Sequence, residues 1–91
     1  MRAVRLLGFA AVALISACAP TIESDADLVK RAGAPLFKGM GDFHRDIDTT
    51  DAGAQRYFDQ GMVLAFGFNH AESIRSFRAA QKLDPECAMC F

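Results

Sequence analysis

Two cysteines near the end of the chain, Cys87 and Cys90, have the type and spacing that most directly suggest chemistry. Asp84 and Pro85 predict the cap and first position of a helix there, which would place Cys87 in its first turn. A thiol in that position has a lowered pKa, which is the setting of redox-active C-x-x-C pairs. The same spacing suits a local disulfide in an oxidising compartment, or two small packing residues. We expect one of these structural roles, and the alternative is a thiol-redox or metal-binding protein.

The sequence around this pair lacks the other parts of known cysteine sites. No His follows Cys90, so covalent haem attachment is excluded. A structural zinc ion would need two more ligands, and the chain has no second pair at a suitable spacing. The βαβ pattern that accompanies a thioredoxin motif is also missing. We therefore expect no cofactor, no metal and no enzymatic activity.

A second group of polar residues alternates along the chain, and its members are Asp42, His44, Asp46 and Asp48. On an extended segment all four would share one face, and carboxylates with imidazole can hold a divalent cation. Carboxylates along one strand diverge, however, so they seldom close a metal shell without other ligands. We expect a polar strand or loop edge here. His70 has no second His or Cys four residues later, so we expect a structural or solvated role for it.

The first eighteen residues have the layout of an export signal. Arg2 and Arg5 precede an apolar run over residues 6–15, whose ten residues would rise only about 15 Å as a helix. That is half of the roughly 30 Å hydrocarbon core, which disfavours a spanning anchor. The sequence Ile-Ser-Ala-Cys that ends at Cys18 resembles a bacterial lipobox, in which this cysteine is acylated. The alternative is an ordinary signal peptide with an incidental cysteine.

The lipobox resemblance implies where the protein resides. Residues 1–17 would be removed as a lipoprotein signal peptide, and lipid on Cys18 would hold the protein on a membrane. We expect an exported protein at the periplasmic face of the inner or outer membrane. Without residues 1–17, eight basic residues remain against eleven acidic ones. A nucleic-acid-binding module normally carries a concentrated basic surface, so we expect no nucleic-acid partner.

Residues 18–50 show little periodicity and are predicted to be a loosely ordered tether. A short helix is predicted over residues 24–32, with Ser24 or Asp25 as its cap and Gly33 as its stop. Gly39 and Gly41 do not belong to a phosphate-binding loop, because no Lys-Ser/Thr pair follows and no strand precedes them.

Residues 51–85 predict two amphipathic helices that fold back on each other as a hairpin. The predicted inward faces are Tyr57, Phe58, Gly61, Leu64, Ala65 and Phe68 on the first helix and Ala71, Ile74, Phe77, Ala80 and Leu83 on the second. Thr50 or Asp51 can cap the first helix. Asn69 can cap the second while Glu72 reaches back in a capping box.

The hairpin resembles a tetratricopeptide repeat, and the match lies in a few spaced positions. Tyr57 stands at the leading aromatic position, and the small, aromatic and Pro positions are occupied by Gly61, Ser73, Phe77, Ala80 and Pro85. The 34-residue period of that repeat relates Tyr57 to Phe91. Residues 86–91 are therefore expected to begin a second repeat. Gln60 and Leu64 depart from the usual Leu and aromatic residue, and Ser73 replaces the usual Ala.

The stretch 54–91 is similar to a group of bacterial exported tetratricopeptide-repeat proteins that continue through further repeats. The resemblance implies an all-α fold, the start of an α-solenoid, and binding of a protein partner, with no catalytic residues to carry over. Because about three repeats are normally needed for stability, we expect that the chain is an N-terminal fragment. The concave side of stacked first helices would present Arg56, Gln60 and Val63 to the partner.

Overall fold

The computed structural model describes residues 22–91, and the predicted signal peptide and Cys18 lie outside this part. Three α-helices follow one another: α1 (Asp25–Ala32), α2 (Ala52–Phe66) and α3 (His70–Leu83). A short 3-10 helix (Ala88–Cys90) follows α3, and no strand occurs among the described residues. The predicted all-α class and helical hairpin are confirmed. None of the helices in residues 22–91 is long and apolar enough to cross a membrane.

Helix α1 forms where the sequence predicts it. The Ser24 hydroxyl accepts a hydrogen bond from the backbone N–H of Asp27 at 3.2 Å, which satisfies a free donor of the first turn. Acidic residues lie in the first turn and Lys30 and Arg31 lie in the last, as the helix dipole favours. The helix ends at Gly33, which has a left-handed backbone with φ 71°.

The N-caps of the two hairpin helices are the residues that the sequence predicts, with one difference in their hydrogen bonds. The Asp51 side chain accepts from the N–H of Ala54 at 3.0 Å, and that of Asn69 accepts from the N–H of Glu72 at 3.4 Å. The predicted capping box is incomplete, because the Glu72 carboxylate pairs with Arg75 and does not bond back to the Asn69 N–H. The positive charge of Arg75 competes for the same carboxylate.

Helices α2 and α3 lie close together at Gly61, as its inward position predicts. A methyl group added there would lie 2.8 Å from the ring of Phe77, which is well inside van der Waals contact. The Ser73 hydroxyl donates to the Gly61 carbonyl at 2.7 Å across the same contact. The missing side chain and the hydroxyl together bring the two helix backbones into close contact.

The buried face of α3 differs from the predicted apolar stripe. Ser73, Ser76, Ala79 and Ala80 are the residues of α3 that are buried. In contrast, Ala71 is exposed, and 50% of Ile74 is accessible. Small side chains allow the close helix contact, so the helix is rotated relative to a stripe chosen by hydrophobicity alone. On α2, Phe68 was predicted to face inward, but it lies in the turn after the helix and is 83% exposed.

Residues 22–50 are not a loose tether in the structure, because they pack against the hairpin. Leu28 of α1 is 2% exposed and lies against Gly53, where an added methyl group would come within 2.5 Å of it. Burial of one leucine side chain stabilises a fold by about 1.5–3 kcal/mol. Arg31 pairs with Asp51 at 2.8 Å, and Arg56 pairs with Asp25 at 2.7 Å. These contacts hold α1 across the beginning of α2.

The helix predicted to begin at Pro85 is absent. Residues 85 and 86 form a turn, and the 3-10 helix starts only at Ala88. Cys87 therefore precedes a three-residue helix and does not lie in the first turn of an α-helix, where the sequence placed it.

Candidate functional site

One flank of α2 is covered by the chain itself, and Gln60 holds this cover in place. The backbone N–H of Phe37 donates to the Gln60 Oε1 atom at 2.8 Å. The Gln60 Nε2 atom donates to the carbonyl of Pro35 and to the hydroxyl of Ser76, each at 3.0 Å. Gln60 is 5% exposed, so its buried amide is satisfied by the covering segment and by α3.

Gln55, earlier on α2, contacts the covering segment in the same manner. The N–H of Ile47 donates to the Gln55 Oε1 atom at 3.1 Å, and the Gln55 Nε2 atom donates to the carbonyl of Arg45 at 2.8 Å. Each glutamine thus bonds the carbonyl of one residue and the N–H of the residue two positions later. We call Gln55 and Gln60 the glutamine clamp, and residues 34–47 the covering segment. Both glutamine side chains bond to backbone atoms of the covering segment, so these bonds do not depend on the segment's side chains.

The three predicted partner-binding residues, Arg56, Gln60 and Val63, line one pocket of about 180 Å³ beside the covering segment. The side chains of Gln60 and Arg56 already have partners within the chain. The amide of Gln60 is buried and fully used by the chain, and the guanidinium of Arg56 pairs with Asp25. This side of α2 is therefore already occupied, and Gln60 is unavailable to a partner in this arrangement.

His44 links the covering segment to α2 through two carboxylates. Its Nδ1 atom lies 2.8 Å from Asp59 of α2, and its Nε2 atom lies 2.9 Å from Asp46. Hydrogen bonds first to Asp59 and then to Asp46 raise the pKa of His44. Because the two carboxylates bind opposite ring nitrogens, they cannot converge on one metal ion, and neither nitrogen is left to act as a base. No group of three or more metal-ligating side chains occurs among residues 22–91.

Cys87 and Cys90 form a disulfide with a Cα–Cα distance of 5.4 Å. Each cysteine is only 1% exposed, and both belong to the hydrophobic core. The Gln81 Nε2 atom donates to the carbonyl of Cys90 at 2.6 Å, which fixes the turn on α3. The disulfide and this bond hold the last residues of the chain against the hairpin.

The opposite flank of the hairpin is open and apolar. A pocket of about 420 Å³ lies between α2, α3, the disulfide turn and Phe91. We call it the open pocket, and it is lined by Arg45, Phe58, Met62, Ile74, Phe77, Arg78, Gln81, Met89, Cys90 and Phe91. Around it, Ile74 is 50% exposed, Met89 49% and Phe91 79%. A cluster of large exposed apolar side chains at one place typically marks an interaction surface.

Comparisons of the chain with known protein families, with curated proteins and with solved structures find no match. The functional conclusion therefore depends on the geometry of the two flanks. Among residues 22–91, one flank is closed by the glutamine clamp, and the other presents an apolar pocket.

Sequence reasoning identified some of these residues and missed others. The cysteine pair and Gln60 were singled out, but Gln60 was assigned to a partner surface. Gln55 and the pairing of His44 with Asp59 were not predicted. A contact between residues 15 positions apart depends on the path of the covering segment, and no local pattern in the sequence encodes that path.

The glutamine clamp can be tested by amide hydrogen exchange. In Gln60→Leu the N–H of Phe37 loses its acceptor, so we expect its exchange to accelerate and stability to fall by about 1–3 kcal/mol. In Gln55→Leu the same should occur at Ile47. Each variant serves as the control for the other, because each should leave the other amide protected. If both variants exposed both amides equally, the two contacts would not be independent clamps.

His44 gives a pH prediction. A raised pKa means that the protonated imidazole stabilises the folded state. This contribution is complete below the unfolded pKa of about 6.5 and is lost as pH rises through the higher folded value. We therefore expect the urea midpoint to fall between pH 6 and pH 8.5, and His44→Gln to remove most of that fall. His70→Gln is the matched control, since His70 has no ion pair among the described residues. An unchanged slope in His44→Gln would contradict the assignment.

Proposed function

We propose that this chain is an exported scaffold that binds a protein partner through the open pocket of a tetratricopeptide-type hairpin. Lipid on Cys18 would anchor it at the periplasmic face of the inner or outer membrane. The observation that carries the proposal is the contrast between the two flanks. The flank with Gln60 is closed by the chain itself, whereas the flank with Ile74 and Phe77 presents an apolar pocket that no other part of residues 22–91 covers.

The repeat interpretation gains support from the helical hairpin and from the contacts of its matched positions. Gly61 and Ser73 form the close helix contact, and Phe77 packs against the ring of Phe58 with centroids 5.7 Å apart.

The polar groups of the described residues favour a non-catalytic role. Both nitrogens of His44 are used by carboxylates, and both thiols are consumed in a buried disulfide. Catalytic groups must reach substrate, so groups that are already paired or buried are poorly suited to that task.

The alternative, a thiol-redox protein using Cys87 and Cys90, is less well supported. Thiol–disulfide exchange requires a thiolate to reach one sulfur atom, and each cysteine here is 1% exposed. A buried pair that closes a turn on α3 fits a structural role better. Access to the sulfur atoms in the folded protein is therefore the property that separates the two functions.

Reduction of the native chain tests this alternative. We expect dithiothreitol to reduce the pair slowly in the folded protein and quickly in guanidinium chloride, with free thiols counted by alkylation and mass spectrometry. Replacement of both cysteines by alanine should cost about 2 kcal/mol, because the disulfide closes only a short loop. Fast reduction of the folded chain, with selective alkylation of Cys87, would favour the redox function instead.

The docking function can be tested in cells that produce the protein. A photo-crosslinking amino acid at Ile74 should form a discrete adduct with another protein, because this position lies at the edge of the open pocket. The same amino acid at Lys30 is the control, since this exposed residue of α1 does not line the pocket. Absence of an adduct at both Ile74 and Met89 would contradict the proposal.

A further inference from the structure

We propose that the occupant of the open pocket is an amphipathic helix of the partner protein, with carboxylates beside its apolar stripe. This inference rests on the proposed docking function and adds the chemistry of the partner. It depends on the shape of the pocket, on the charges at its edge, and on the exclusion of two other occupants.

The shape of the pocket fits a helix. Ile74, Phe77 and Gln81 line it from α3 at spacings of three and four residues, over a length of about 10 Å. Phe58 and Met62 face them from α2, one turn apart. Two adjacent helices with side chains at these spacings form a groove into which the ridge of a third helix packs. A partner helix would enter with apolar residues at positions i, i+3 or i+4, and i+7.

Flexible side chains at the sides of the groove can adjust to a docked helix and add to the area in contact with it. Met62 and Met89 both line the pocket, and unbranched thioether side chains adjust to the shape of what they contact. Phe91 is 79% exposed at the same place and would be covered by a docked helix. Its burial, with that of Ile74, would supply the apolar contribution to binding.

The charges at the groove select the partner. Arg45 and Arg78 both line the pocket, and neither takes part in the ion pairs of the described residues. Residues 1–21 contain no Asp or Glu, so they cannot supply a counter-charge. Unpaired guanidinium groups beside an apolar groove favour a ligand with carboxylates at matching positions.

The same charges oppose two other occupants. A second copy of the chain, bound about a two-fold axis through this pocket, would bring Arg45 and Arg78 towards the same residues of the other copy. The apolar run of residues 6–15 is preceded by Arg2 and Arg5 and carries no acidic residue. Either occupant would leave the two arginines beside like charges or without partners, whereas a carboxylate-bearing helix pairs them.

Two labelled peptides and the full chain test the inference by fluorescence anisotropy. The first probe is a helical peptide of about 15 residues, long enough to form an isolated helix, with leucines at i, i+3, i+4 and i+7 and glutamates on both sides. The second probe carries lysine in place of each glutamate. At low salt we expect the glutamate peptide to bind roughly fivefold more tightly, as two exposed ion pairs would provide.

Variants then locate the binding. Arg45→Ala with Arg78→Ala should abolish the preference for the glutamate peptide. Arg75→Ala is the matched control, because Arg75 lies on α3 outside the pocket, and it should retain the preference. Ile74→Glu should weaken binding of the glutamate peptide at least about tenfold, as expected for an anchor in the groove.

Three results would overturn the inference. Equal affinity for both peptides would remove the charge selection and leave the docking function intact. Binding of neither peptide would remove the helical occupant, and the Ile74 crosslink then decides separately whether the docking function also fails. A dimer of the chain that Ile74→Glu disrupts would identify a second copy as the occupant.

Discussion

Within residues 22–91, the positions of the covering segment and of α3 relative to α2 depend on the hydrogen bonds of the buried Gln60 amide. An amide taken out of water without hydrogen-bond partners costs about 1–3 kcal/mol in proteins. Gln60 meets this requirement with three partners: the Pro35 carbonyl, the Phe37 N–H and the Ser76 hydroxyl. These partners come from the covering segment and from α3. One side chain of α2 therefore fixes the position of both neighbours, and neither can shift without leaving a polar group unpaired.

The covering segment explains why the molecule has two unlike flanks. The Tyr57 hydroxyl donates to the Ala34 carbonyl at 2.6 Å, and the Arg31–Asp51 and Arg56–Asp25 pairs extend the contact to α1. This flank is thus closed by hydrogen bonds and ion pairs as well as by apolar packing. On the other flank the disulfide turn and Phe91 border the pocket without filling it. A partner can reach the second flank without displacing any of residues 22–91.

The sequence predicted features that depend on neighbouring residues and missed those that depend on the chain path. Helix caps at Ser24, Asp51 and Asn69 were predicted because a short polar side chain satisfies N–H groups two or three residues away. The course of residues 33–50 was not predicted, because it is held mainly by glutamine bonds to backbone atoms. Such bonds leave no periodic pattern in the segment that they bind. The carboxylate of Asp59 likewise gave no sequence signal of its contact with His44.

The burial of small side chains on α3, which the sequence did not predict, has a consequence for the candidate site. Ser73 and Ser76 hold α3 against α2 by hydrogen bonds to Gly61 and Gln60, and such small residues let the backbones come close. The large apolar side chains of the core come chiefly from α2, where Tyr57 and Phe58 are almost fully buried, and Ile74 of α3 is left half exposed at the open pocket. The small inner side chains of α3 thus explain both the close helix contact and the apolar surface that α3 presents to a partner.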